Sequence, residues 1–223
     1  MSILRKLWYS RIFDTTRFRL LRREFGDRQF KCLDIGAGHS VTVFSRRAPN
    51  CEYYGVEFFI DYSEEERSKM KELWEIDLTK LEFDVIPDNY FDAINLSHII
   101  EHLQNGDEVI SKIQSKLKSG GVIYIEYPGE KSTRLPRWKK RNTTLNFYDD
   151  DTHVRVFNTQ EVENILLKHG FRTLSSGTRR SWMHILAVMP VGVLGWIFLR
   201  KRLRGDYFWD LLGFAEYVFA RKS

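Results

Sequence analysis

Apolar residues fall into short runs separated by stretches of helical spacing, and this alternation organises the whole chain. Residues 30–33, 52–56, 73–76, 91–96, 122–127, 171–175 and 214–220 read as strands, most of them bounded by Gly, Pro or charged residues. Apolar positions recur at helical spacing in 41–47, 99–117 and 159–167. Ser40 is placed to cap the first helix, Ser119-Gly120-Gly121 to end the second and Gly170 to end the third. The charged run 63–72 reads as a surface helix or loop. Residues 3–24 carry Leu4, Leu7, Trp8, Ile12, Phe13, Phe18 and Leu21 between Arg and Lys, which predicts one or two basic amphipathic helices covering the mouth of the α/β domain.

Strands alternating with helices predict an α/β doubly wound parallel sheet, because parallel neighbours need helical crossovers. The length of 223 residues accommodates one such domain, 1–223, with an N-terminal helical cap (1–28), a polar lid loop (130–152) and an apolar insertion (180–212) before the last strand. The lid contains Pro136, a basic cluster at 137–141 and an acidic one at 149–151, so no core element is expected there.

Composition adds a mild bias. The net charge is +5 and the pI about 9.1, which suits an anionic partner or an acidic surface as well as an ordinary basic enzyme. Two cysteines, Cys32 and Cys51, exclude a disulfide framework or a zinc–cysteine cluster, and no metal-binding motif is read. With no secretory signal pattern at the start, a cytoplasmic location is expected.

In a doubly wound sheet the ligand lies beyond the carboxyl ends of the strands, where strand order reverses. Asp34, Glu57, Asp77 and Asn95 all fall at such ends. Gly36 and Gly38 let backbone amides approach a ligand and let the chain turn sharply. Glu57, about twenty residues further on, is placed to accept from both ribose hydroxyls, and Asp77 from an exocyclic adenine amine. A dinucleotide fingerprint needs glycine at 41, where this chain has Val41.

Taken together, Leu33-Asp34-Ile35-Gly36-Ala37-Gly38, Tyr54-Gly55-Val56-Glu57, Phe91-Asp92-Ala93-Ile94 leading into Ile100-Glu101-His102-Leu103, and Leu117-Lys118-Ser119-Gly120-Gly121 resemble the class I S-adenosylmethionine (SAM)-dependent methyltransferase superfamily. The resemblance covers 30–175 and 214–222. It implies a Rossmann-like, mostly parallel seven-stranded sheet with an antiparallel last strand, and SAM as cofactor. It also implies that Gly36, Ala37 and Gly38 approach the methionyl part, that Glu57 and Phe58 lie at the ribose, that Asp77 and Leu78 flank the adenine, and that Asn95 lies under the methionyl amine. One departure is Ser40, where the family often has a further glycine.

For a hydroxyl acceptor a general base helps, and His98, His102 and His153 are the candidates, with His98 and His153 favoured and His102 read as a capping or packing group. His98 follows the fourth strand directly. His153 lies in His153-Val154-Arg155-Val156-Phe157, which resembles a segment of small-molecule and sugar methyltransferases; alternatively, His153 and Arg155 only pair with the acidic run 149–151. Nucleic acid is a minority reading, because Asn95-Leu96-Ser97-His98 lacks the Pro-Pro-aromatic continuation of base N-methylation and no cysteine follows Cys51. The expected function is O-methylation of a small-molecule or glycan-like acceptor. A methyltransferase-fold scaffold without turnover is the alternative.

The stretch 182–199 contains no Asp, Glu, Lys or Arg and is flanked by Arg179-Arg180 and the basic run 200–204. A single membrane crossing would separate strands that must share one sheet. What remains is a hairpin turning at 190–195, a segment 182–204 lying on an anionic, cytoplasmic membrane surface, or short helices packed on the domain or in a homo-oligomer interface. Membrane contact would make a lipid-linked acceptor natural.

Overall fold

The computed structural model describes residues 14–59, 61–137, 144–199 and 208–223. Its strands are β1 (Phe30–Ile35), β2 (Cys51–Glu57), β3 (Glu72–Glu75), β4 (Phe91–Ser97), β5 (Leu117–Pro128), β6 (Phe171–Thr178) and β7 (Ala215–Lys222), in the order β3-β2-β1-β4-β5-β7-β6. The first five run parallel, and β7 is antiparallel to both its neighbours. This is the expected Rossmann-like sheet, with the order reversing between β1 and β4.

The central strands are buried on both faces, which is why they read as near-continuous apolar runs rather than alternating ones. One face packs Leu33, Ile35, Ile94, Leu96, Ile123 and Ile125 against α4 (Gly106–Ile113) and α5 (Thr159–Lys168). The other packs Cys32, Tyr53, Ala93 and Tyr124 against Phe18 and Leu21 of α1 (Thr16–Phe25) and Val41 and Phe44 of α2 (Val41–Arg47). Side chains alternate along a strand, so Asp34, Asn95 and Glu126 share the second face with Cys32, Ala93 and Tyr124. The polar ends of three strands thus converge under α1.

Several local expectations need correction. Ser40 has helical φ and ψ of −63° and −26° and makes no capping hydrogen bond, so α2 begins without a side-chain cap. The helix expected over 99–117 is divided into a 3-10 turn at Ile100–His102, α4, and a second 3-10 turn at Gln114–Lys116, because Gln104-Asn105-Gly106 breaks the ladder. Ser119-Gly120-Gly121 does not cap it. These residues bulge within β5, where the register jumps from Phe91↔Leu117 to Ala93↔Val122, and Gly120 takes φ +76°. The charged run 63–72 holds the short α3 (Glu64–Arg67), closed by a Ser63/Glu66 capping box.

The lid segment is partly core. Leu145 and Phe147 are buried, and the buried Asn146 donates through Nδ2 to the carbonyls of Thr133 (3.1 Å) and Leu135 (2.5 Å), clasping the two ends of the loop. Of the alternatives for the apolar stretch, a hairpin at 190–195 does not form: a π turn at His184–Val188 continues into α6 (Met189–Leu199), which runs through Pro190 and Gly195. Pro190 lies inside this continuous helical stretch, just after the π turn, the kind of local irregularity that accompanies a missing interior N–H. Trp182, Leu186, Val191, Leu194, Ile197 and Phe198 are exposed among the described residues, while Ile185 of the same segment is buried. No helix among the described residues is long and apolar enough to cross a membrane. The run 200–204 and residues 1–13 of the N-terminal cap lie outside the described residues.

Candidate active site

The site grows from the turn after β1. Gly36 and Gly38 have φ of +68° and +44°, a backbone region that only glycine enters freely. A Cβ on Gly36 would stand 1.9 Å from Ile99 Cδ1, whereas one on Gly38 would meet nothing within 4 Å, so the second glycine faces open space. The Gly36 and Ala37 amides both donate to the Val56 carbonyl, at 2.8 and 3.0 Å, and Ala37 is buried. Glu57, at the end of β2, closes the loop: its carboxylate accepts from the amides of Gly38 and Phe58, each at 2.9 Å. Phe58 is exposed beside it. The Tyr62 hydroxyl is buried without a hydrogen-bond partner among the described residues, and Glu57 is the charge that acts on it most strongly. Burial pushes this phenol up to about 12, so it stays a neutral donor.

Behind the loop, Asp34 is fully buried and accepts from Tyr53 Oη (2.7 Å) and Asn95 Nδ2 (2.5 Å). Burial pushes its carboxyl up to about 6, against the opposing charge of Arg17 and the two hydrogen bonds. Arg17 reaches in from α1 and donates to Asn95 Oδ1 at 3.4 Å while lying over the Phe18 and Phe44 rings. Asp77 stands apart. It caps the 3-10 turn Leu78–Lys80 by accepting from the Thr79 amide (3.0 Å) and hydroxyl (2.6 Å), and these bonds lower its pKa. Leu78, half-buried, has its carbonyl contacted by Asn105 Nδ2 at 3.5 Å.

On the other side, His98 holds φ +58°, an uncommon conformation for a residue with a side chain. Its Nδ1 lies 3.2 Å from Glu101 Oε1 and its Nε2 3.2 Å from Glu126 Oε1, with Trp209 of α7 (Trp209–Leu212) against the ring at 5.1 Å. Burial disfavours the imidazolium, but the two carboxylates outweigh it and push the ring up to about 9. Glu126 in turn accepts from Tyr124 Oη (2.5 Å) and Arg179 Nη1 (3.1 Å), and Arg179 Nε reaches Asp210 at 3.1 Å. Burial opposes the charged form of Glu126, yet Arg179 and His98 hold its carboxyl well below the usual range.

Two carboxylates therefore fix both ring nitrogens of His98 as donors. By NMR, the ring is expected to titrate near pH 9 instead of the usual 6.5. Because the folded value is raised, the stabilisation is complete below about pH 6.5 and disappears as pH rises through 9. A midpoint at or below about 7 would show that the carboxylates are not engaged.

His153 lies close to Glu101 as well, through the contact of the Val154 amide with the Glu101 carbonyl at 2.8 Å. Its ring packs against His102 at 4.8 Å. Arg155 pairs with Glu161 and not with the acidic run, while His153 Nε2 lies 3.8 Å from Asp150. These contacts bring together Asp34 with Asn95, Glu57 with the glycine loop, and His98 with His153 around Glu101. Sequence reasoning missed Arg17, Tyr62, Glu126, Arg179 and Asp210. The polar alternation Tyr124, Glu126 inside an apolar strand was the one visible signal.

A glycine loop with open space, a strand-end carboxylate and an orphaned buried hydroxyl beside it fit an adenosyl group with a methionyl tail, and the sheet order defines the class I SAM-dependent methyltransferase fold. The chain matches the methyltransferase domain family over residues 9–176, and it belongs to that family. SAM is the cofactor. None of the curated proteins compared with the chain matches it. Among solved structures it resembles a SAM-dependent methyltransferase from Archaeoglobus fulgidus, at 21% identity over 92% of this chain and 93% of that one, with a TM-score of 0.58. A SAM-dependent methyltransferase from Mesorhizobium loti matches at 15% identity, 92% and 96% coverage and a TM-score of 0.60. The Burkholderia thailandensis 1,6-didemethyltoxoflavin-N1-methyltransferase, solved with 1,6-didemethyltoxoflavin and S-adenosylhomocysteine, matches at 13% identity, 92% and 76% coverage and a TM-score of 0.59. At these identities the likeness is one of fold.

Proposed function

We propose that this chain methylates an oxygen of a small-molecule or glycan-like acceptor presented at the cytoplasmic face of a membrane. SAM supplies an electrophilic methyl group on a sulfonium, and the protein's task is to hold the acceptor in line with it. Correct placement removes much of the barrier without a base. Gly36, Ala37 and Gly38 form the backbone cradle, Glu57 accepts from the ribose with Phe58 beside it, Leu78 and Asp77 border the adenine, and Asn95, braced by Asp34 and Arg17, serves the methionyl end. His98, with both nitrogens donating, orients the acceptor side and does not remove its proton. His153 borders the same pocket.

The single observation that carries the membrane part is the row of exposed apolar side chains on and before α6, Trp182 to Phe198. Surfaces of this kind in a water-exposed chain mark contact sites. Arg179 and Arg180 do not serve as headgroup contacts in this reading: the first is spent on Glu126 and Asp210, the second on the carbonyls of Asp210 and Leu211, both at 2.9 Å. The test couples two measurements. The intact chain should float with anionic liposomes, and a Leu186→Ser/Ile197→Ser/Phe198→Ser variant should not. Small-molecule or glycan-like acceptors, lipid-linked ones among them, should release S-adenosylhomocysteine from added SAM. Equal flotation of both proteins rejects the surface, and SAM binding with no release on any acceptor favours a scaffold.

A further inference from the structure

Glu101 is completely buried, and only one of its two oxygens is accounted for. Oε1 faces His98, while Oε2 has no hydrogen-bond partner among the described residues. A carboxylate oxygen sealed from water without a donor is unfavourable enough that its surroundings call for an explanation. His102 and His153 supply one. Each of the three residues brings one potential ligand atom to a common place, all within 4.8 Å of one another.

The tautomers of both histidines are set by backbone contacts. His153 Nδ1 lies 2.7 Å from the Phe147 carbonyl, a contact that only an N–H makes, so its Nε2 carries the lone pair. His102 Nδ1 faces the Thr152 carbonyl at 3.2 Å and the Thr152 hydroxyl at 2.9 Å. That hydroxyl already donates to Asp150 Oδ1 at 2.6 Å, so His102 is the donor and keeps its own Nε2 lone pair. Histidines whose far N–H is spent on a carbonyl, set beside a carboxylate, form the outer-shell arrangement that orients imidazoles toward a metal.

We propose that Glu101, His102 and His153 bind a divalent first-row transition cation, zinc being the best match, with a solvent oxygen completing four-coordination. Two imidazoles and carboxylate oxygen suit zinc, and imidazole content disfavours magnesium and calcium. Zinc bonds of about 2.1 Å draw the donors closer than they now stand. The hydrogen bonds from the Val154 and Arg155 amides to the Glu101 carbonyl, at 2.8 and 3.2 Å, already tie the two contributing segments together. A cation there pins the lid segment to the end of β4, on the acceptor side of His98.

The whole chain, stripped with chelator, is titrated with cobalt(II) and then zinc. One cobalt per chain is expected, with visible bands of a four-coordinate site, no thiolate charge-transfer band, and displacement by zinc. A His102→Gln/His153→Gln variant that still melts cooperatively should lose affinity at least about 100-fold. Should that variant not fold, His102→Gln alone, at a partly exposed position, should lose at least about tenfold. Absence of stoichiometric cobalt in the intact chain, a thiolate band pointing to Cys51, or unchanged binding in a folded variant overturns the site.

Discussion

Replacing Arg179 by alanine is expected to lower the unfolding free energy by about 3–5 kcal/mol, the range for removing one partner of a buried charge pair. The arginine is mostly buried and divides its guanidinium between Glu126 (Nη1, 3.1 Å) and Asp210 (Nε, 3.1 Å), both nearly inaccessible. Truncation strands two carboxylates in a poorly solvated place, with only His98 and Tyr124 left to Glu126. Arg179→Lys keeps the charge but not the planar fork that reaches two carboxylates at once, so it should recover only part of the loss. Urea unfolding monitored by circular dichroism measures both. A loss under about 1 kcal/mol for the alanine variant would mean that water reaches these groups.

Glu57→Gln is expected to weaken SAM binding roughly 100-fold, about 2.7 kcal/mol. The carboxylate accepts two backbone N–H groups at 2.9 Å, from Gly38 and Phe58, and in the proposed complex takes the ribose as well. An amide offers one acceptor oxygen and turns its NH2 toward a second N–H, so the loop loses a strap and the ribose a charged partner. Bonds to charged groups carry about 1.5–3 kcal/mol each. Calorimetric titration of SAM is the measurement, with an unchanged far-UV spectrum as the check on folding. A dissociation constant within about threefold of the parent's would remove Glu57 from the site.

The legible part of the fold is the part whose physics is local. Strands buried on both faces announce themselves as apolar runs, and β1, β2 and β4 were found within two residues, as was the glycine turn, whereas β5 was found only from Val122 onward. A divided helix at 100–116 was concealed because its apolar spacing continues across Gln104-Asn105-Gly106. Pro190 and Gly195 suggested a turn, but the chain stays helical through both, with a π turn just before the proline. Arg17 meets Asn95 across 78 positions and Arg179 meets Glu126 across 53, pairings created by sheet order and not by any local pattern. Asp77 stands after β3 as its place in the sequence suggested, and its Oδ1 accepts from Thr79, a local bond that the strand pattern did not show.

The position of β7 carries a consequence for how the protein is made. Although it comes after the apolar insertion in the chain, β7 lies between β5 and β6, covering the edge of β5 that faces away from β4 and pairing along β6. On the ribosome, both strand edges therefore stay open until the last strand emerges, and α6 is already displayed during that interval. Nascent chains with open edges and exposed apolar surface are prone to self-association. Premature termination before residue 215 should give an aggregating product instead of a smaller working domain, and a lipid surface near the site of synthesis would shield the growing chain until its sheet is complete.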